Sequence, residues 1–173
     1  MENVFFNHYV VKMEETVGVQ TVWIASTAAG VIELDLDSGV SEEEFRRRLE
    51  QEYSGMNIVK SEAVMHLRAC RCLEGVPGYY AQPDLRFVSD YQRRVYEEVM
   101  KIPRGETVSY SELAARLGQR GARAVGHALG SNRIAILVPC HRVIPKRGGF
   151  GFYRWGAELK AKLLTMERNI SGC

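Results

Sequence analysis

Cys140 and His141 stand side by side between two prolines, in the run Leu137-Val138-Pro139-Cys140-His141-Arg142-Val143-Ile144-Pro145. A thiol beside an imidazole can supply a nucleophile together with the base that ionises it. Pro139 fixes its own φ, and each proline pushes the residue before it out of the helical region, so the thiol should be held in one place. The apolar run 134–138 reads as a buried segment that carries the thiol inward. On this pair alone, a small buried cysteine beside a core histidine is an equally good reading. A carboxylate that could join them comes near the C-terminus. A helix is expected over about 156–168, with Leu159, Leu163 and Met166 at helical spacing and Leu164 widening the stripe. Glu167 follows Leu163 by four and Leu164 by three, so it borders the apolar face. It is there either as an interfacial cap or as the partner of a buried cation, for which His141 is a candidate.

The elements ahead of Cys140 change in character along the chain. Ser89 with Gln92 forms a capping box that opens a helix to about Ile102, with Tyr91, Val95, Tyr96 and Val99 on one face. After the turn Pro103-Arg104-Gly105-Glu106, Ser109 with Glu112 opens a helix over roughly 109–117. Gly118-Gln119-Arg120 is a tight turn, and a further helix runs from about Ala122 to Leu129. Two short helices joined by a glycine-containing turn match a helix-turn-helix. At 100° per residue Ala122, Val125 and Leu129 lie together and should pack inward. Arg123, His127 and Gly130 fall opposite, with Gly126 at the edge. One long cation among small residues suits close approach to a nucleic acid.

The charge supports that reading. The net charge of +2 hides a division. Residues 1–85 carry 7 Lys and Arg against 14 Asp and Glu, a balance of −7, and residues 86–173 carry 16 against 7, a balance of +9. A basic half beside an acidic one points to a polyanion partner for the second half.

The first half offers no chemistry of its own. Segments 4–13, 18–25 and 30–36 read as three antiparallel strands with glycine turns. Ser41 and Glu44 cap a helix carrying Phe45, Leu49 and Tyr53, on which Arg46-Arg47-Arg48 reads as a solvated face. A second helix is expected over 60–74, with Cys70 and Cys72 partly buried. The loop from Gly75 to Pro83 is dense in turn formers and is the expected linker. No apolar run approaches the roughly 20 residues that span a bilayer, and the N-terminus has no basic-then-apolar signal. The 4 cysteines and 4 histidines are scattered without a C-x-x-C pair, so no metal site is expected. A cytoplasmic protein with Cys140 reduced follows.

Pro139-Cys140-His141-Arg142-Val143, with the helix Ala122-Arg123-Ala124-Val125-Gly126 and Ser131-Asn132 before it, resembles the O6-alkylguanine-DNA alkyltransferases. Val108-Ser109-Tyr110 upstream, then Gly151-Phe152-Tyr153 and Lys160 through Glu167 downstream, extend the match over about residues 89–168. The resemblance implies an α/β protein of two domains. Residues 1–84 would be a ribonuclease-H-like scaffold, and residues 85–173 a mainly helical domain with the helix-turn-helix and the alkyl acceptor. It implies transfer of an alkyl group from guanine O6, and from thymine O4, in double-stranded DNA to Cys140. The transfer happens once per molecule, without cofactor, by a monomer.

The resemblance also assigns roles. His141 is the base, acting through a water, and Glu167 orients it. Tyr110 protonates guanine N3, and Asn132 braces the turn after the recognition helix. The carbonyls of Cys140 and Val143 take the exocyclic amine, and the Arg154 N–H faces O6. Arg123 is a finger that fills the gap left by the flipped nucleotide, on a helix that meets the minor groove through Ala122, Gly126, His127 and Gly130. Tyr153, Arg154 and Trp155 form the pocket lip. Arg154 and Trp155 stand where small residues are frequent in the family, and His127 stands where glycine is. The rival readings are a helix-turn-helix regulator or a protein that recognises lesions without repairing them, and a cysteine hydrolase. Adjacent Cys-His disfavours the hydrolase, whose partners usually come from distant segments.

Overall fold

A computed structural model describes residues 1–36 and 39–170. They form two compact units, one of Met1–Glu14 and Gly18–Arg86, the other of Glu15–Val17 and Phe87–Cys173. The chain is a mixed α/β protein.

The first unit is a four-stranded sheet of order β3-β2-β1-β4. β1 (Asn3–Lys12), β2 (Val19–Ser26) and β3 (Val31–Leu36) are antiparallel neighbours, and β4 (Asn57–Lys60) runs parallel to β1. β4 ends at Lys60, where the sequence reading began its second helix; that helix, α2, is shorter, Val64–Leu73. Four residues give too little alternation to reveal a strand, and the pairing with β1 decides their conformation. α1 (Glu42–Glu52) starts on the expected Ser41–Glu44 capping box. It buries Phe45 and Leu49 against Val4, Phe6, Trp23 and Ala25, the alternate residues of β1 and β2.

The register puts Glu33 and Asp35 beside Ala25 and Trp23. Two carboxylates thus lie buried on the α1 side of the sheet. Arg48 reaches both at 2.9 Å, with its guanidinium 4.8 Å from the Phe45 ring centre. The expected solvated Arg46–Arg48 face is therefore wrong at its last position. Arg48 lies three residues after Phe45, on the buried side, and neutralises acids that would otherwise be stranded. Gln82 and Pro83 at the end of the expected linker, with Asp84 after them, pair with Val31 and belong to this unit. A Cβ on Gly30 would lie 2.6 Å from the Gln82 carbonyl oxygen, so only glycine allows this approach.

The second unit contains α3 (Asp90–Met100), α4 (Tyr110–Arg116), α5 (Arg123–Gly130) and α6 (Ala157–Ile170). α3 and α4 carry the capping boxes read from Ser89–Gln92 and Ser109–Glu112. Two short strands, β5 (Val108–Ser109) and β6 (Val143–Ile144), pair in parallel. This pairing fixes the chain after Cys140 to the start of α4, and so brings Tyr110 to the thiol's cavity.

Candidate active site

Cys140 begins a 3₁₀ turn, Cys140–Arg142. In the segment before it Ile134, Ala135 and Val138 are buried as expected, Ile136 and Leu137 are half-buried, and the chain is folded tightly. The Leu137 N–H donates to the Ala135 carbonyl at 2.6 Å around Ile136, whose φ is +65°. A β-branched residue in this region is strained, and the bond closes a γ-turn. The Cys140 N–H donates to the Val138 carbonyl at 2.8 Å around Pro139 (φ −80°, ψ 58°), a second tight turn of opposite hand. Asn132 holds the two turns together. Its side-chain NH₂ donates to the Val138 carbonyl at 3.0 Å and to Cys140 Sγ at 3.1 Å, and its Oδ1 accepts from the Ile134 N–H at 2.9 Å. The side chain at the end of α5 thus sets both backbone and thiol.

His141 is fully buried, and its Nε2 lies 3.0 Å from Glu167 Oε1. Burial alone would raise the Glu167 carboxyl. Hydrogen bonds from His141 and Arg142 outweigh it and carry the group down to about 2. A carboxylate can only accept, so Nε2 carries the proton and Nδ1 keeps its lone pair. That Nδ1 is buried and has no hydrogen-bond partner among the described residues. Burial also lowers the pKa of His141 against the pull of Glu167, which keeps the ring neutral and available as a base.

Two cations complete the site, and sequence reasoning gave neither a role. Arg142 donates from Nε to Glu167 Oε2 at 2.9 Å, from NH2 to Oε1 at 2.8 Å, and from NH1 to the Ile102 carbonyl at 2.7 Å. Lys160 is fully buried. Its Nζ donates to the Val143 carbonyl at 2.7 Å and sits 5.8 Å from the Tyr153 ring centre. Burial lowers Lys160 to about 8, against the opposing pull of Cys140. The Cys140 thiol is pushed up by burial, while the Asn132 hydrogen bond and the Lys160 charge pull it down. A signal for Lys160 existed. It shares the i, i+3, i+4, i+7 stripe with Leu163, Leu164 and Glu167, so it faces inward with them.

A cavity of about 400 Å³ opens onto Cys140. Tyr110, Ala122, Arg123, Gly126 and Gly130 form one side of it, Tyr153 and Arg154 the other. Burial and the neighbouring Cys140 raise the Tyr110 phenol, which therefore keeps its proton. Leu129, Pro145, Gly151 and Phe152 also line it, and none of these was singled out for the pocket. Of the residues expected to bind the base, two do not line the cavity: Trp155 stacks edge-on to Tyr153 at 5.2 Å, and Val143 directs its carbonyl to Lys160, from which it accepts one hydrogen bond. His127, expected on the outward face of α5, is exposed there. Leu129 is buried with Val125 as expected and also borders the cavity, while Ala122, expected to pack inward, is only half-buried at its edge.

The family model described as "6-O-methylguanine DNA methyltransferase, DNA binding domain" matches residues 90–169. A crystal structure of Mycobacterium tuberculosis OGT in complex with DNA superposes with a TM-score of 0.70 at 30% identity, over 95% of this chain and 93% of that one. The chain belongs to the O6-alkylguanine-DNA alkyltransferase family. Among curated relatives, the methylated-DNA–protein-cysteine methyltransferase of Mycolicibacterium paratuberculosis is 51% identical over 84 residues, 48% of this chain and 51% of that protein. The protein of the same name from Candida glabrata is 44% identical over 82 residues, 47% of this chain and 40% of that protein. The match thus spans about half or less of the curated relatives' length. This chain's site combines Cys140 and the His141–Glu167 pair with a buried lysine and an arginine on the glutamate.

Proposed function

We propose that this chain repairs DNA by moving an alkyl group from guanine O6, and from thymine O4, in a duplex onto Cys140, once per molecule. The observation that carries the proposal is the buried row of Asn132, Cys140, His141 and Glu167 at the base of a cavity walled by Tyr110 and α5. Displacement at carbon needs a thiolate. His141 Nδ1 takes the thiol proton through a water, and Glu167 then faces an imidazolium across a 3.0 Å contact. Asn132 and Lys160 stabilise the thiolate left behind. The new S–C bond forms as the C–O6 bond breaks, and Tyr110 delivers a proton to N3 so that neutral guanine departs. The carbonyls of Cys140 and Val143 accept from the exocyclic amine, Val143 through the lone pair that Lys160 leaves free. The Arg154 N–H faces O6, and Tyr153 and Trp155 support the lip, Trp155 from behind.

Residues 85–173 act as the DNA-binding and acceptor domain, with α4 and α5 as a helix-turn-helix in the minor groove. The left-handed Gly118 in the turn supports that reading (φ +72°). Arg123 fills the gap left by the flipped nucleotide. Ala122, Gly126, His127 and Gly130 meet the backbone. Residues 1–84 act as a ribonuclease-H-like scaffold, a reading supported by three antiparallel strands followed by one parallel to the first. The working state is a cytoplasmic monomer on double-stranded DNA. No helix among the described residues is long and apolar enough to cross a membrane.

Intact-protein mass after incubation with a duplex carrying one O6-methylguanine tests this. The expected result is a gain of one methyl group, mapped to Cys140 and saturating at one per protein. Binding without a mass change would instead establish lesion recognition without repair.

A further inference from the structure

The last turn of α5 is fastened to α3 by side chains with no part in the reaction steps. Ser131 ends α5, one residue before Asn132. Its hydroxyl donates back to the Ala128 carbonyl at 2.9 Å and accepts from the Gln92 amide of α3 at 2.8 Å. The same Ala128 carbonyl accepts from the Tyr96 hydroxyl, also on α3, at 3.1 Å. Gln92 is itself held, because its Oε1 accepts from the Ser89 N–H and hydroxyl, both at 2.9 Å. The capping box that starts α3 thus grips the end of α5. Asn132 follows directly. Its N–H donates to the Leu129 carbonyl at 3.2 Å, and its side-chain NH₂ reaches Cys140 Sγ at 3.1 Å. Such a bond weakens steeply when the donor swings off line, and it favours the thiolate over the thiol.

We infer that Gln92 and Ser131 are positioning residues for Cys140: their hydrogen bond fixes the exit of α5 so that Asn132 meets the thiol before DNA docks. In the alkyl-transfer reading, on which this inference rests, Cys140 attacks as a thiolate and Arg123 meets the duplex. Arg123 opens the same eight-residue helix that Ser131 closes. Without the junction to α3, displacement of Arg123 by DNA would carry through to Asn132. With it, the end that serves the thiol stays in place while the other end engages the duplex.

The thiol itself gives the readout. Alkylation of Cys140 by iodoacetamide is followed by peptide mass across pH in the wild type, Ser131→Ala, Ser131→Thr and Gln92→Met. The titratable groups around the thiol, His141, Lys160, Tyr96, Tyr110 and Tyr153, are kept in all of them. Ser131→Ala and Gln92→Met should each move the rising limb to higher pH and slow the reaction at pH 7 about fivefold, the weight of one hydrogen bond. The double variant should do no more than either alone, because both act through one bond. Ser131→Thr keeps the hydroxyl and should restore the wild-type limb. Gln92→Met also breaks the capping box, so Ser89→Ala is the control; it should lower the thermal midpoint and leave the limb in place. A limb that stays put in Ser131→Ala, or that Ser89→Ala moves as far, would overturn the inference and leave a junction that only stabilises the fold. Limbs that move as expected, in a wild type that takes no methyl from an O6-methylguanine duplex, would instead overturn the alkyl-transfer reading, and the part of these residues in transfer with it.

Discussion

Glu167 serves a neutral imidazole and a guanidinium at once, and this divides its effects into activity and stability. Glu167→Gln keeps the shape but removes the charge that would face a protonated His141. Transfer should slow about a hundredfold or more in single-turnover assays on an O6-methylguanine duplex. The stability effect has a definite sign. The folded carboxyl sits at about 2, below its ordinary 4.5, so its contribution is complete above pH 4.5 and is lost as pH falls toward 2. That contribution is about 3 kcal/mol, and Glu167→Gln should flatten this part of the acid unfolding curve. Lys160 acts on the thiol. Its charge pulls Cys140 down, so Lys160→Met should move the rising limb of the pH–rate profile for Cys140 modification to higher pH. A limb that stays in place would reduce Lys160 to a strut for the Val143 carbonyl. Cys140, His141 and Glu167 were legible because their types and spacing are rare together. Lys160 was not, because lysine is ordinarily solvated, and only the stripe it shares with Leu163 and Glu167 marks it as buried.

Among the elements, helices were read most closely, since Ser41–Glu44, Ser89–Gln92 and Ser109–Glu112 each announce a helix start within four residues. What sequence patterns did not carry was pairing and turn geometry. β4, β5 and β6 are too short to show a period, and they exist because a neighbouring strand takes up their hydrogen bonds. The left-handed Ile136 could not be foreseen either, since nothing local favours it; Asn132 and the γ-turn hold it there. Gly30 is the element-scale position with the least tolerance. A Cβ would meet the Gln82 carbonyl oxygen at 2.6 Å and the Asp84 nitrogen at 2.9 Å, and both are backbone atoms that pair with β3. Gly30→Ala should therefore cost about 2 kcal/mol or more, read as a lower denaturation midpoint at unchanged slope. A midpoint within experimental error of wild type would mean that the 82–84 segment is not held against β3.

At the scale of the whole chain, charge separates the two halves, and arginines of equal charge should therefore behave unequally. The run 46–48 shows how context assigns them. Arg46 pairs with Glu50, Arg47 is exposed, and Arg48 is committed to Glu33 and Asp35. These cations answer the acids of an acidic half. In the basic half, Arg123 is exposed at the cavity, with no acid beside it in the lining. A cation that neutralises a phosphate releases a counterion and adds about 0.9 to the salt slope of duplex binding. One that enters the base stack adds little to the slope but supports the flipped state. The finger role predicts the second pattern. Arg123→Ala should slow repair in a duplex far more than reaction with free O6-alkylguanine base, with a salt slope close to wild type. Arg47→Glu, a larger charge change, should leave both rates and slope unmoved. Equal losses on duplex and free base would place Arg123 in the reaction chemistry, and a slope reduced by about one would make it a phosphate contact. A response at Arg47 matching that at Arg123 would show that net charge, and not the placement of this residue on α5, governs the encounter with DNA.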